Sequence, residues 1–331
     1  VFRGNNTVNN SNLEQDFDAY SGPYGVVDPR LIGHLYPSYM FIESGDKVSS
    51  GFDKRGEVFY DDSRALMIGA VLGEYDFISR RADLDQFKHA QFSVEAIDDS
   101  EKSFIKNAET YPIFSIARWH GQDVPISNMT LETNIEKISR YQPSDIECEF
   151  LFERNKNPEA EISEWIENIE TRASRDEGLL DREEIDERIS EHGGAENISK
   201  GLDDFVLGQS IGISPANLSS YQHLIVGISV KEGVEIGNGE EYKLPNEKVM
   251  HNIRENSEFD EWTMPYIVSG VGKSWGDILV EIHTDNIDDM EMYARRLREE
   301  VDGVRSTRTF ALTGTSFNRP LVLDSPKDIN I

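Results

Sequence analysis

Seven histidines and 62 carboxylates in a chain of 331 residues are the groups with which any chemistry would have to be done. Imidazole changes charge near neutral pH and ligates metals, so each histidine is a candidate acid/base group or ligand. His120, in Trp119-His120-Gly121, ends an apolar run and reads as a surface histidine, with an acid/base group or a haem ligand as the alternative. For a haem cavity, His89, His120 or His223 would have to converge with arginines. His251, inside a predicted helix, and His283, at a predicted strand end, read as structural or solvated. No HExxH zinc motif, EF-hand loop, P-loop or GxSxG nucleophile elbow is present. Gly237-Asn238-Gly239 lacks a strand-to-helix glycine fingerprint and reads as a turn. A single cysteine, Cys148, excludes an internal disulfide and any multi-cysteine metal centre.

The charge balance narrows the partners. With 33 Lys plus Arg against 62 Asp plus Glu, the formal charge is −29, and no basic footprint for nucleic acid exists across the chain. Mean hydropathy is −0.53 and no run approaches the roughly 20 apolar residues of a membrane span. The 37% hydrophobic and 10% aromatic content is enough to bury a core, so the chain is expected to fold. High acid, few lysines and a retained aromatic core resemble the composition of haloarchaeal proteins, where molar salt shortens charge repulsion to about 3 Å. That resemblance implies the cytoplasm of a high-salt organism. No secretory leader is visible in Val1 to Leu13, and Val1 in place of Met points to removal of one Met or of a longer leader. Asn-x-Ser/Thr sequons at Asn5, Asn9, Asn128, Asn197 and Asn217 keep an extracellular or virion assembly protein as the alternative.

The elements follow from periodicity. Residues 1–27 read as an extended arm, with Ser21-Gly22-Pro23-Tyr24-Gly25 as a turn. Tyr39–Ile42, Ala65–Leu72, Tyr75–Arg80, Ile113–Ala117, His223–Val230 and Ile278–Ile282 read as strands. Asp83–Ala96 carries an imperfect helical pattern. Ile162, Trp165, Ile166 and Ile169 fall on one face of an amphipathic helix. Between Asp176 and Phe205 there are 11 acids and 3 bases, an outer face for solvent. Residues 28–154 thus form one half, 155–222 an acidic helical segment, 223–318 a second half, and 319–331 a tail.

Two places repeat an order of features. Met67–Ile78 leads into Ala82–Phe87, and Ile267–Val280 leads into Thr284–Met290. Each reads strand, glycine-rich turn, Asp, strand, acidic N-cap, helix. Around the second copy, Gly270 to Leu312 resembles the ligand-binding (RAM) domain of the Lrp/AsnC family. The matched features are a turn ending in Asp277, the strand Ile278–Ile282, the helix Ile287–Glu300, the turn Asp302-Gly303-Val304 and the strand Arg308–Leu312. With His223–Val230 and Pro245–Ser257 upstream, the order becomes βαββαβ, the ferredoxin-like unit. The resemblance is clear over 223–312 and weak over 38–119. It implies an α+β fold of two ferredoxin-like halves, paired as in a dimeric α+β barrel.

That family binds small effectors, often amino acids, near the turn before the second strand pair, at subunit interfaces. The resemblance therefore implies a regulatory or oligomeric scaffold, self-associating, with Gly270, Gly272, Ser274, Asp277 and Thr309 around an effector. Leu207–Tyr221 faintly echoes the family's helix-turn-helix, but it contains no Lys or Arg, which argues against DNA as a partner of this chain alone. No catalytic residue, metal or cofactor is expected on this reading. The same barrel also serves haem proteins and tetrapyrrole decarboxylases, so a haem or tetrapyrrole enzyme is the alternative, by fold analogy alone.

Overall fold

The computed structural model describes residues 20–27, 29, 36–44, 64–83, 89, 105–124, 144–175, 180–203, 206–213, 222–236, 242, 244–271, 276–286 and 289–318. Among them the strands are β1 (Tyr20–Val27), β2 (Tyr36–Ser44), β3 (Ala65–Val71), β4 (Phe77–Asp83), β5 (Ile105–Trp119), β6 (Gln122–Asp123), β7 (Val206–Ile213), β8 (Gln222–Val230), β9 (Thr263–Gly270), β10 (Ile278–Thr284) and β11 (Val304–Asn318). The α-helices are α1 (Asp145–Lys156), α2 (Ile162–Ala173), α3 (Arg182–Glu191), α4 (Ala195–Asp203), α5 (Pro245–Arg254) and α6 (Met290–Glu300).

The C-terminal elements run β8-α5-β9-β10-α6-β11, with strands ordered β11-β8-β10-β9. That is the ferredoxin-like arrangement, and α5 and α6 cover one face of its sheet. Val226, Ile228, Val280 and Ile282 on that face pack against Val249, Met250, Ile253 and Leu297 of the helices. In the N-terminal part β5-β2-β4-β3 repeats the same strand order. The segments between β2 and β3 and between β4 and β5, including the helix expected over 83–96, lie outside the described residues apart from Arg64 and His89.

The two four-stranded sheets join at both edges. β3 pairs with β11 and β5 pairs with β9, all antiparallel, so eight strands close into a ring. Closure leaves no free edge among these eight strands to recruit another chain. Alternate residues point inward, and Tyr39, Phe41, Met67, Tyr111, Tyr266, Leu279 and Phe310 fill the interior.

Helices α1 to α4 form a separate acidic layer around Trp165, Ile169, Phe150 and Ile185. It begins at Asp145, ten residues before the boundary read from composition. Ser144 caps α1 by accepting from the Glu147 amide, and Gly193 and Gly194, at φ +78° and +101°, follow the end of α3.

Two local readings are corrected. Ser21–Gly25 is not a turn but part of β1, which pairs with β7 from Tyr20↔Ile213 to Val27↔Val206. The helix-turn-helix echo fails where it is described, because Val206–Ile213 is strand β7. β-Branched and glycine residues there satisfy their backbone groups on β1 rather than within a helix. Of the sequons only Asn197 is described, on α4, donating its amide to the Gly193 carbonyl. Gly237–Gly239 and the tail 319–331 lie outside the described residues.

Candidate functional site

The turn implied by the resemblance is held by its aspartate. The Asp277 carboxylate accepts from the Val230 amide at 2.7 Å, and the Asp277 amide donates to the Ile228 carbonyl at 2.7 Å. Gly270 donates to the Asp277 carbonyl, and Tyr111, from the other sheet, donates its hydroxyl to the same oxygen at 2.9 Å. Gly270 sits on the β5–β9 seam, where an added Cβ would lie 2.1 Å from the Pro112 carbonyl oxygen. The two ends of the turn, Gly270 and Asp277, are therefore held from both sheets.

Gly270 and Asp277 thus come together, whereas Gly272 and Ser274 lie outside the described residues. Thr309 is elsewhere: it pairs with Val226 on β11, while the strand that follows Asp277 starts at Ile278↔Ile228. Two strand steps and three residues separate Thr309 from Asp277, roughly 10 Å each way, too far for one small ligand to touch both.

The denser polar cluster is inside the ring, and glycine signals gave no hint of it. Arg80 on β4 and Glu281 on β10, both wholly buried, form an ion pair at 2.5 Å. Tyr39 donates its hydroxyl to the same carboxylate oxygen. The other oxygen lies 2.8 Å from His223 Nε2 and 3.9 Å from His283 Nε2. His223 and His283 face each other across β8 and β10, with ring centroids 4.6 Å apart. Burial pushes the Glu281 carboxyl up, but Arg80 and then His223 outweigh it and hold it well below the usual carboxylate range. Burial brings His283 down to about 4, which leaves its imidazole neutral.

The cluster continues toward one end of the ring. The Arg80 guanidinium lies 3.7 Å from the centre of the Tyr266 ring, and the Tyr266 hydroxyl is 2.8 Å from His120 Nδ1. Tyr24, on β1, reaches the same nitrogen at 3.1 Å. His120 has φ +48°, a left-handed conformation that non-glycine residues adopt at a cost. Burial, and next the charge of Arg80, bring its imidazole down to about 3.

His120, His223 and His283 therefore converge on one interior with Arg80. His283, read from sequence as structural or solvated, has 16% of its side chain exposed and lines this interior. His89 does not join them. It belongs to a separate buried network, 2.6 Å from Asp83 and 2.8 Å from the Thr110 hydroxyl, with Arg81 donating to Asp83. The signal available in sequence was the alternation Glu281-Ile282-His283, which puts a carboxylate and an imidazole on one face of a strand.

No family model and no curated protein matches the sequence. Among solved structures, the siroheme decarboxylase NirDL is similar over 97% of this chain and 84% of its own, with TM-score 0.53 and 10% identity. Its complex with an iron-uroporphyrin III analogue has the same coverage and TM-score at 11% identity. Escherichia coli AsnC aligns with 55% of this chain and all of its own, at TM-score 0.33 and 16% identity. What the first two likenesses show is a shared fold.

A haem does not fit the interior as it is packed. Tyr39, Tyr111, Arg80 and Glu281 are each fully buried. A macrocycle would have to displace them and separate a buried ion pair.

Proposed function

We propose that the chain is a single-chain counterpart of a paired α+β barrel, two ferredoxin-like units in one polypeptide, acting as a regulatory or scaffold protein that binds a small molecule at the Gly270–Asp277 turn. The observation that supports this reading is the position of Gly270 and Asp277, the ends of that turn, beside the seam between the two sheets, with Tyr111 of the other sheet bonded to the Asp277 carbonyl. Asp277 offers a carboxylate to a ligand ammonium, and the resemblance implies the Gly272 amide and the Ser274 hydroxyl as the groups for its carboxylate. An amino acid carries both groups. Thr309 is left out of this site on distance.

The test is a thermal-shift screen of the chain against the twenty amino acids, repeated with Asp277→Asn. A shift with one or a few amino acids that the variant abolishes supports the reading, and a flat screen overturns it.

The −29 charge suits an anionic surface working in molar salt, within the cytoplasm of a high-salt organism. Self-association would use surfaces other than the ring's strand edges, which are already paired. Native mass in about 2 M KCl checks this, since the Debye length there is below about 3 Å and repulsion no longer masks assembly.

A second reading, an enzyme acting on a modified tetrapyrrole, is favoured by the convergence of His120, His223 and Arg80 and by the whole-chain fold likeness to NirDL. Its difficulty is space. Titration with a porphyrin tests it directly: a shifted Soret band at one equivalent supports it, and an unchanged spectrum removes it.

A further inference from the structure

We propose that His223, Glu281 and His283 form a binding site for a single divalent transition-metal ion at one end of the barrel. One ring nitrogen of each histidine and one Glu281 oxygen lie within 4.8 Å of one another. Donors that share an ion at about 2.1 Å stand roughly 3 to 3.5 Å apart. The observed separations of 2.8 and 3.9 Å from the carboxylate oxygen bracket that value. Small rotamer changes would close the set.

Three features favour an ion over a purely structural network. The ligands come from two directly paired strands: His223 and His283 are cross-strand partners, and Glu281 lies two residues from His283 on the same face. Such a face is rigid, so little order has to be gained on binding. The carboxylate is also divided in function. Arg80 and Tyr39 occupy Oε1, which orients Oε2 toward the histidines, as supporting partners do around known metal ligands. Finally, neutralising Glu281 requires only Arg80, yet two imidazoles converge on the second oxygen as well. Two imidazoles and a carboxylate select for ions such as Zn²⁺, Co²⁺ or Fe²⁺ over Mg²⁺ and Ca²⁺, which prefer oxygen. His283 is the least buried of the three ligands, with 16% of its side chain exposed.

Binding at Nε2 requires each imidazole to carry its single proton on Nδ1. The nearby Arg80 charge weakens binding relative to a site lacking it, which argues for an affinity set by the imidazoles.

The site is separate from the Gly270–Asp277 turn, so either proposal can fail alone. The test uses the full chain, stripped with a chelator and titrated with Co²⁺ in excess Mg²⁺, which saturates the acidic surface. One equivalent of Co²⁺ with visible d–d absorption is expected. His223→Gln and His283→Gln should each weaken it by about 100-fold, the upper range for losing even a supporting partner. Should His223→Gln fail to fold, His283→Gln, at the solvent edge, decides. The proposal is overturned if no absorption develops, or if a folded His283→Gln chain binds Co²⁺ as tightly as the native one.

Discussion

Arg80 and Glu281 occupy the same place in two hairpins and meet as an ion pair inside the ring. Each lies four residues after the aspartate that closes its hairpin, Asp76 or Asp277. The two aspartates make matching bonds. Asp76 donates to the Ile42 carbonyl at 2.9 Å and accepts from the Ser44 amide at 2.6 Å, as Asp277 does with Ile228 and Val230 at 2.7 Å each. At the seams, Leu72 donates to the Ala311 carbonyl and Val271 to the Pro112 carbonyl, both at 3.4 Å. Equivalent positions of like hairpins thus carry opposite charges, which lets them pair where two copies of one charge would repel.

Breaking this pair from one side strands a buried charge. Glu281→Gln or Arg80→Met should each cost about 3 to 5 kcal/mol, and the double replacement by apolar residues of similar volume considerably less. Denaturant unfolding of the three variants measures the difference, and a double variant no better than the singles would contradict it.

The hairpin aspartates predict a matched effect. Asp76→Ala and Asp277→Ala each leave an amide without its carboxylate, at about 1 to 3 kcal/mol, and share no hydrogen-bond partner, so their effects should add. Unfolding midpoints of the singles and the double check this.

Gly270→Ala places a methyl group 2.1 Å from the Pro112 carbonyl oxygen and 2.6 Å from the Tyr111 ring. The seam must shift to admit it, at about 1 to 3 kcal/mol. Gly73→Ala meets no atom within 4 Å, so its cost is only that of its φ of +143°. Hydrogen exchange on β5 and β9 should rise in the first variant and not in the second.

Acid sensitivity should trace to His120. Its imidazole titrates at about 3 in the fold against an ordinary 6.5, so the unfolded chain takes up a proton first as pH falls. Stability from this group is complete above about 6.5 and is lost progressively down to about 3. His120→Asn, which tolerates the left-handed backbone, should flatten the stability profile in that window relative to the native chain. An unchanged profile would show that other groups dominate.

Much of the frame was legible in the sequence. The runs around Tyr39–Ile42, His223–Val230 and Ile278–Ile282, the face of Ile162, Trp165 and Ile169, and the glycine-led turn ending in Asp277 are local patterns, and local patterns report backbone periodicity. β1 and β7 escaped because Pro23 and four glycines imitate turn chemistry, and only their mutual pairing makes them strands. Their hydrogen bonds are satisfied by a partner about 190 residues away.

By itself the sequence determined the α+β alternation, the repeated hairpin and the acidic surface, because each depends on residue type at short spacing. Tertiary structure alone decided the ring's closure and the meeting of Arg80 with Glu281, His223 and His283. Residues 201 apart become neighbours only when β3 pairs with β11 and β5 with β9. Nothing in the spacing of a charge along one strand states which charge will lie opposite it across a closed sheet.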